Sequence, residues 1–325
     1  MAGVLIVAEA VSGALAPSTL ELAGEGRRVA EALGEPLIAA IAGTNVRGNE
    51  AALGEAGVEQ VYLADHSGPG VPSPEWTAAA VVAAVKQAQP SVVLISHSAA
   101  GRMLAPTLAA RVQSGVVTDA TRLRVEGDRV IVTKPVFGGS VLSEQVVLAN
   151  PQVVTLRARS FAAAEPQPRN AAQSIALQVP EAAGGLEVLE EIREESTSGP
   201  KLKDAKVVVS GGRGLGGAEN WHAVEELAAV LGGAVGASRA VTDAGWISPS
   251  HQVGLTGATV APDLYIAIGI SGAVQHVAGI SGARNVVAIN KDAEANIFKY
   301  ARFGVVGDWK QVVPALTERL KQLRS

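Results

Sequence analysis

Three short stretches hold the residue types from which a binding site can be built. Residues 210–217 read SGGRGLGG, with Gly212, Gly214 and Gly217 at the spacing G-x-G-x-x-G. That spacing permits a tight turn, close approach of backbone to a phosphate, and close helix–strand packing. The first amides of a following helix then face an anion, and Arg213 adds a guanidinium to the same loop. Residues 269–283 read GISGAVQHVAGISGA, one pentapeptide twice with His276 between the copies. The first copy follows the strand-like run LYIAIGI. There Ser271 suits a helix N-cap, Gly272 and Ala273 leave the first-turn amides open, and Gln275 and His276 project from the next turn. The second copy, Gly279 to Gly282, reads as a helix stop and turn. The third stretch, SHQVGLTG at 250–257, places the Thr256 hydroxyl beside permissive glycines.

A dinucleotide loop of the NAD kind calls for a carboxylate at the end of the second strand. This chain has Ser238 and Arg239 there, in GASRAV. An arginine suits a 2′-phosphate, which gives an NADP reading, and it equally suits the electron-rich edge of a flavin. A scaffold without any cofactor is a third reading.

The composition narrows the field. The 325 residues carry a net charge of -4 with no basic stripe, which argues against nucleic acid as a partner. There is no cysteine, so disulfides, thiol catalysis and iron–sulfur clusters are excluded. The five histidines (66, 97, 222, 251 and 276) lack metal-ligand spacing, and no Ser/His/Asp arrangement stands out. The adjacent carboxylates Glu190–Glu191 and Glu225–Glu226 read as solvated faces. No apolar segment reaches membrane-spanning length and no signal-like leader is visible, so a soluble, cytoplasmic protein without membrane insertion is expected.

The elements that must position these residues alternate. Apolar runs of strand length at 4–10, 36–43, 60–66 and 92–98 are separated by helical patterns, such as 20–33 and 76–87. That is βαβ alternation and a parallel sheet. After Val116 the pattern changes: 123–148, 152–159 and 174–180 read as antiparallel strands added to the sheet, with Glu126–Gly127–Asp128 as a hairpin turn. A charged, then Ser/Thr/Gly/Pro-rich stretch places a linker at 196–200 between domain 1–195 and domain 201–325. Beyond it, strands at 206–210, 234–237, 264–270, 285–290 and 303–307 alternate with helices at 219–231, after 271, from 293 and from Trp309. The fold class is α/β: two Rossmann-like domains, the first a parallel sheet with added antiparallel strands, the second doubly wound. In the first domain, SHSAAGRMLAP at 96–106 resembles a strand-to-helix ligand loop, with His97, Ser98 and Arg102; helix capping or a subunit contact is the preferred reading.

Taken together, VVVSGGRGLGGAENW, AVGASRAVTDAGW, QVGLTG, LYIAIGISGAVQHVAG, VVAINKDAEANIF and FGVVGDWKQVVPALTE resemble, in order, the alpha subunit of electron transfer flavoprotein. The likeness is specific over about the last 120 residues and looser over the first 195. It implies one FAD in the C-terminal domain, a beta subunit that holds an AMP, and electrons carried from acyl-CoA dehydrogenases to a membrane quinone oxidoreductase. On that resemblance Arg213 and Gly214 lie near the pyrophosphate, and Ser238 contacts the cofactor. Arg239 lies near the flavin N5. Val253, Gly254, Leu255 and Thr256 border the ring, with the Thr256 hydroxyl near N5. Ser271, Gly272, Ala273, Val274 and Gln275 cradle the pyrophosphate and ribityl chain, and His276 faces O2. Asn290 and Asp308 serve the ribose and adenosine end, with Trp309 adjacent. Leu255 departs from the family, where many relatives carry a glutamine. A one-electron flavin state carries negative charge across N1, C2 and O2, so Arg239 and a protonated His276 would favour it. Each charge-assisted hydrogen bond is worth roughly 60–130 mV of potential.

Overall fold

Val4, Leu5, Ile6, Val7 and Ala8 are all buried, because the strand they form is covered on both faces. The structure, a computed structural model, describes residues 3–11, 13–67, 70–139, 141–168, 171–179 and 200–324. The chain divides into two compact units, the first reaching to Arg193 and the second running on from there. Of the expected linker 196–200, only Pro200 is among the described residues, and Glu190–Glu191 lie outside them.

In chain order the first unit contains β1 (Val4–Ala8), β2 (Ala10–Val11), β3 (Ala14–Leu15), α1 (Pro17–Leu33), β4 (Leu37–Gly43), α2 (Glu50–Glu55), β5 (Gln60–Asp65) and α3 (Pro74–Ala88). It continues with β6 (Val92–Ser96), α4 (Ala99–Arg111), β7 (Val116–Ala120), β8 (Arg122–Glu126), β9 (Arg129–Val136), β10 (Val141–Gln145), β11 (Gln152–Leu156) and β12 (Gln173–Ala176). Seven strands form one sheet in the order β12-β5-β4-β1-β6-β11-β7, with every pairing parallel. Alternate residues feed two apolar layers. Val4 and Ile6 meet Leu22 and Val29 of α1 on one face, while Leu5 and Val7 meet Val81, Val85 and Leu108 of α3 and α4 on the other. Burying side chains of this size stabilises by roughly 1.5–3 kcal/mol each.

Two sequence expectations change here. Residues 152–156 and 173–176 run parallel, within and at the edge of the main sheet, and not antiparallel. An apolar run has no direction of its own; the connection that precedes it decides. The antiparallel strands β8, β9 and β10 form a separate three-stranded sheet, with the expected turn at Gly127, whose φ is +59°.

The second unit contains β13 (Val207–Gly211), α5 (His222–Leu231), β14 (Ala234–Ala237), α6 (Arg239–Thr242), β15 (Leu264–Ile268), α7 (Val274–Ala278), β16 (Val286–Asn290), β17 (Phe303–Val306) and α8 (Trp309–Arg324). Its five strands are all parallel, in the order β14-β13-β15-β16-β17. Val209, Ile266 and Ile268 pack against Val224 and Leu227 of α5 and Val313 of α8; Val208 and Tyr265 face the opposite layer. The chain leaves β13 to one side and returns on the other through β15. The crevice beyond the carboxyl ends of that pair is where an open α/β sheet accepts a ligand.

Candidate functional site

The loops after β13 and β15 are laced through their backbones. Gly212 N donates to Ile268 O at 2.8 Å, and Gly214 N donates to Gly269 O at 3.0 Å. A Cβ on Gly214 would stand 2.8 Å from Gly269 Cα, and Gly269 has φ +62°. The glycines therefore serve the contact between the two loops. The amides of Gly212 and Gly214 are already spent on carbonyls, not held out to an anion. Nor does a long helix open at once: Arg213–Leu215 and Ala218–Asn220 are single 3₁₀ turns, and α5 begins at His222 rather than at 219.

A cleft of about 440 Å³ lies over this lacing. It is lined by Arg213, Gly214, Ser238, Ser271 and Asn290, five residues expected from the sequence, and by Asp292, Glu294 and Asn296, which were not. The missed residues sit in a loop after β16 that looks like ordinary turn sequence. Asn290 Nδ2 donates to Ile270 O at 2.9 Å and its Oδ1 accepts from Asp292 N, so this side chain also braces the cleft wall. Ser271 is exposed but is not a helix cap: α7 starts later, with Ala273 at the N-cap position. Gly272 has φ +81°, and a Cβ there would collide with the Ile297 amide. The second GISGA copy is the stop and turn expected of it, with Gly279 at the end of α7.

A second group assembles around residues 252–257. Leu255 N donates to Gln275 O at 2.8 Å, which ties this turn to α7 and sets exposed Leu255 and Thr256 beside exposed Val274 and Gln275. Val253 and Gly254 are buried beneath them. Thr242 Oγ1 donates to Gln252 Oε1 at 2.8 Å, and Gln252 Nε2 donates to Thr256 Oγ1 at 2.9 Å. Gln252, unremarked in the sequence, thus links the helix of Arg239 to Thr256. Arg239 itself is exposed, with Nε 3.2 Å from Asp243 Oδ2.

Two expected residues stand elsewhere. Asp308 caps α8, its Oδ1 accepting from Lys310 N at 3.0 Å. Trp309 packs, half-buried, on the layer that holds Val313. Neither lines the cleft. His276 departs most from expectation. It is buried, its Nε2 lies 2.8 Å from the Tyr265 hydroxyl, and burial pulls its pKa down to about 4. The imidazolium expected from the sequence is therefore not the form held here: this environment keeps the ring neutral at pH 7.

These sites lie in a chain whose residues 4–183 match the electron transfer flavoprotein domain and whose residues 201–281 match the electron transfer flavoprotein FAD-binding domain. It is 38% identical over 323 residues to an electron transfer flavoprotein subunit alpha of Thermoanaerobacterium thermosaccharolyticum, covering 98% of both chains. The chain belongs to the electron transfer flavoprotein alpha-subunit family. The subunit alpha of Bacillus subtilis is likewise 38% identical, over 98% of both chains, and Protein FixB of Azotobacter vinelandii is 38% identical over 98% of this chain and 91% of its own. A solved Streptomyces glycosyltransferase, SsfS6, reaches 10% identity and a TM-score of 0.28 over 99% of this chain and 94% of its own, below a shared fold. Members of the electron transfer flavoprotein family are electron carriers rather than enzymes, and the family implies a beta-subunit partner. Among the described residues no helix is long and apolar enough to cross a membrane, and no three His, Cys, Asp or Glu are grouped to hold a metal ion.

The donor set fits a flavin dinucleotide. Arg213 offers a guanidinium to a pyrophosphate, the Ser238 and Ser271 hydroxyls stand in the same cleft, and glycine backbone leaves its floor open. In the first unit, Ser98 Oγ accepts from Gly101 N at 2.9 Å, so the SHS loop is a helix cap, as preferred from the sequence.

Proposed function

We propose that this chain is the FAD-holding half of a heterodimeric electron carrier. It takes electrons from acyl-CoA dehydrogenases and related flavin dehydrogenases and passes them, one at a time, to a membrane quinone oxidoreductase. The observation that supports this reading is the cleft at the β13/β15 crossover, lined by Arg213, Ser238, Ser271 and Asn290. FAD, one per heterodimer, supplies the redox chemistry; the protein supplies position and electrostatics. Arg213 neutralises the pyrophosphate, with Gly214 close by. Ser238 and the segment Ser271–Gln275 hold the chain that joins it to the ring. Arg239, Val253–Thr256 and neutral His276 border the ring, with Arg239 the remaining full charge among them. Asn290 serves the ribose, with Asp308 and Trp309 behind it. An AMP belongs to the beta subunit.

The NADP reading meets an electrostatic objection. Asp292 and Glu294 line the same cleft and disfavour a further phosphate there, while carboxylates suit ribose hydroxyls. The test is stepwise reduction of the chain purified with a co-expressed beta subunit, followed in the visible range. Flavin bands passing through a one-electron spectrum support the carrier, and Arg239→Ala should lower the fraction held there. A folded complex that stays colourless after FAD is added, yet binds NADPH, overturns the reading.

A further inference from the structure

Arg239 and Thr256, two polar side chains at the proposed ring position, stand on separate segments, α6 and the 252–257 turn. Both are exposed, so packing does little to fix either. Thr256 sits between exposed Leu255 and Gly257, and Gly254, two residues before it, has φ +143°. At such a place a side chain has several staggered positions open to it unless a bond selects one.

Gln252 supplies that bond and a second one. Its Nε2 donates to Thr256 Oγ1 at 2.9 Å, and its Oε1 accepts from Thr242 Oγ1 at 2.8 Å. Thr242 is buried at the end of α6, and its Oγ1 lies 3.0 Å from Arg239 O. One end of the amide is thus anchored on a buried side chain, and the other holds an exposed one. The main chain around Gln252 is pinned independently: Ala258 N donates to its carbonyl at 2.7 Å, and Val253 N donates to Ala237 O at 2.9 Å. A Cβ on Gly257 would collide with that same carbonyl. The amide therefore reaches both threonines from a fixed base, and trimming it leaves the frame of the turn in place.

We propose that Gln252 is a positioning residue for the flavin ring: its amide couples the setting of the Thr256 hydroxyl to the helix that carries Arg239, and it acts on the ring through Thr256. The role rests on the FAD reading, whereas the bridge between the threonines does not. Nor does the bridge depend on which way the amide is turned, because a hydroxyl both donates and accepts.

The experiment is a double-mutant cycle on the heterodimer, reading the FAD dissociation constant and the first one-electron potential of wild type, Gln252→Ala, Thr256→Val and the double variant. Thr256→Val should weaken FAD binding by about tenfold and move the potential by up to a tenfold change in that equilibrium, about 59 mV. Gln252→Ala should move both in the same direction, with about a threefold loss of affinity, and should add nothing to the potential once Thr256 is Val. Thr242→Val, which frees only the far end of the amide, should shift the potential less. Val260→Ala, which loosens the same stretch by packing alone, should lower the melting temperature and leave the potential unchanged. Additive effects in the cycle, or a Gln252→Ala potential equal to that of the wild type, overturn the proposal. The side-chain amide signals of Gln252 in ¹⁵N NMR give a readout that needs no cofactor, and both Thr242→Val and Thr256→Val should move them. Signals that neither substitution moves overturn the bridge, and the proposal with it. A complex that takes up no FAD yet shows both shifts refutes the FAD reading and the role at the ring, and leaves the bridge standing.

Discussion

Each of the two parallel sheets has a crossover crevice, and the two are filled differently. Between β1 and β6 the first unit closes its crevice with its own side chains. There Ser98 Oγ donates to Glu9 Oε1 at 2.6 Å, and along the neighbouring β6, β11 and β7 ends His97 Nδ1 meets Thr155 Oγ1 at 2.8 Å and Arg157 grips Asp119 through two bonds of 2.8 and 2.6 Å. Between β13 and β15 the second unit puts glycine backbone at the crevice floor and keeps the cleft above it. Topology offers both crevices; side-chain volume and pairing decide which one is free to bind.

The largest expected break comes from the glycine floor. Gly272→Ala places a Cβ on the Ile297 amide at a left-handed φ, and should cost about 3 kcal/mol, with flavin loss in whatever folds. Thermal denaturation and the flavin-to-protein absorbance ratio check both parts.

Acid should separate the units next. His276 has a folded pKa of about 4, below the ordinary 6.5, so the unfolded chain takes the proton first. Its contribution is whole above pH 6.5 and is lost as pH falls towards 4, by up to about 3 kcal/mol. In the first unit burial raises the Glu9 carboxyl and lowers the His97 ring, two slopes of opposite sign. Its profile should be flatter, which hydrogen exchange of β1 and β13 amides at pH 4.5 and 7 would read, and His276→Asn should remove the slope from the second unit.

Arg157→Ala should cost about 2 kcal/mol by taking the guanidinium from Asp119, without changing the flavin ratio of the folded complex. Lost flavin in that variant would erase the distinction between the crevices. Smallest is Asp308→Ala, a lost helix cap worth about 1 kcal/mol. If it also releases FAD, Asp308 contacts the cofactor as the family likeness implies, and the cap is only half its role.

The alternation of strands and helices was legible because its periods are set by local geometry. The strand direction of 152–156 was not, since it depends on a distant connection. Within the site, Arg213, Ser238 and Ser271 were legible through their loops and Asn290 only through the family resemblance, whereas Asp292 and Glu294 resemble any polar turn. The glycine spacing was seen and its reason misread: Gly212 and Gly214 make room for the Gly269 backbone. The charge of His276 was misjudged because spacing carries no information on what lies beneath a helix, here Tyr265.

The backbone lacing of the β13 and β15 loops bears on inheritance. Gly214 and Gly269 each occupy space the other would need for a side chain. A chimera that imports one loop from a relative while keeping the other must satisfy that contact at once. The two segments, over fifty residues apart in the chain, are exchangeable only as a single cassette.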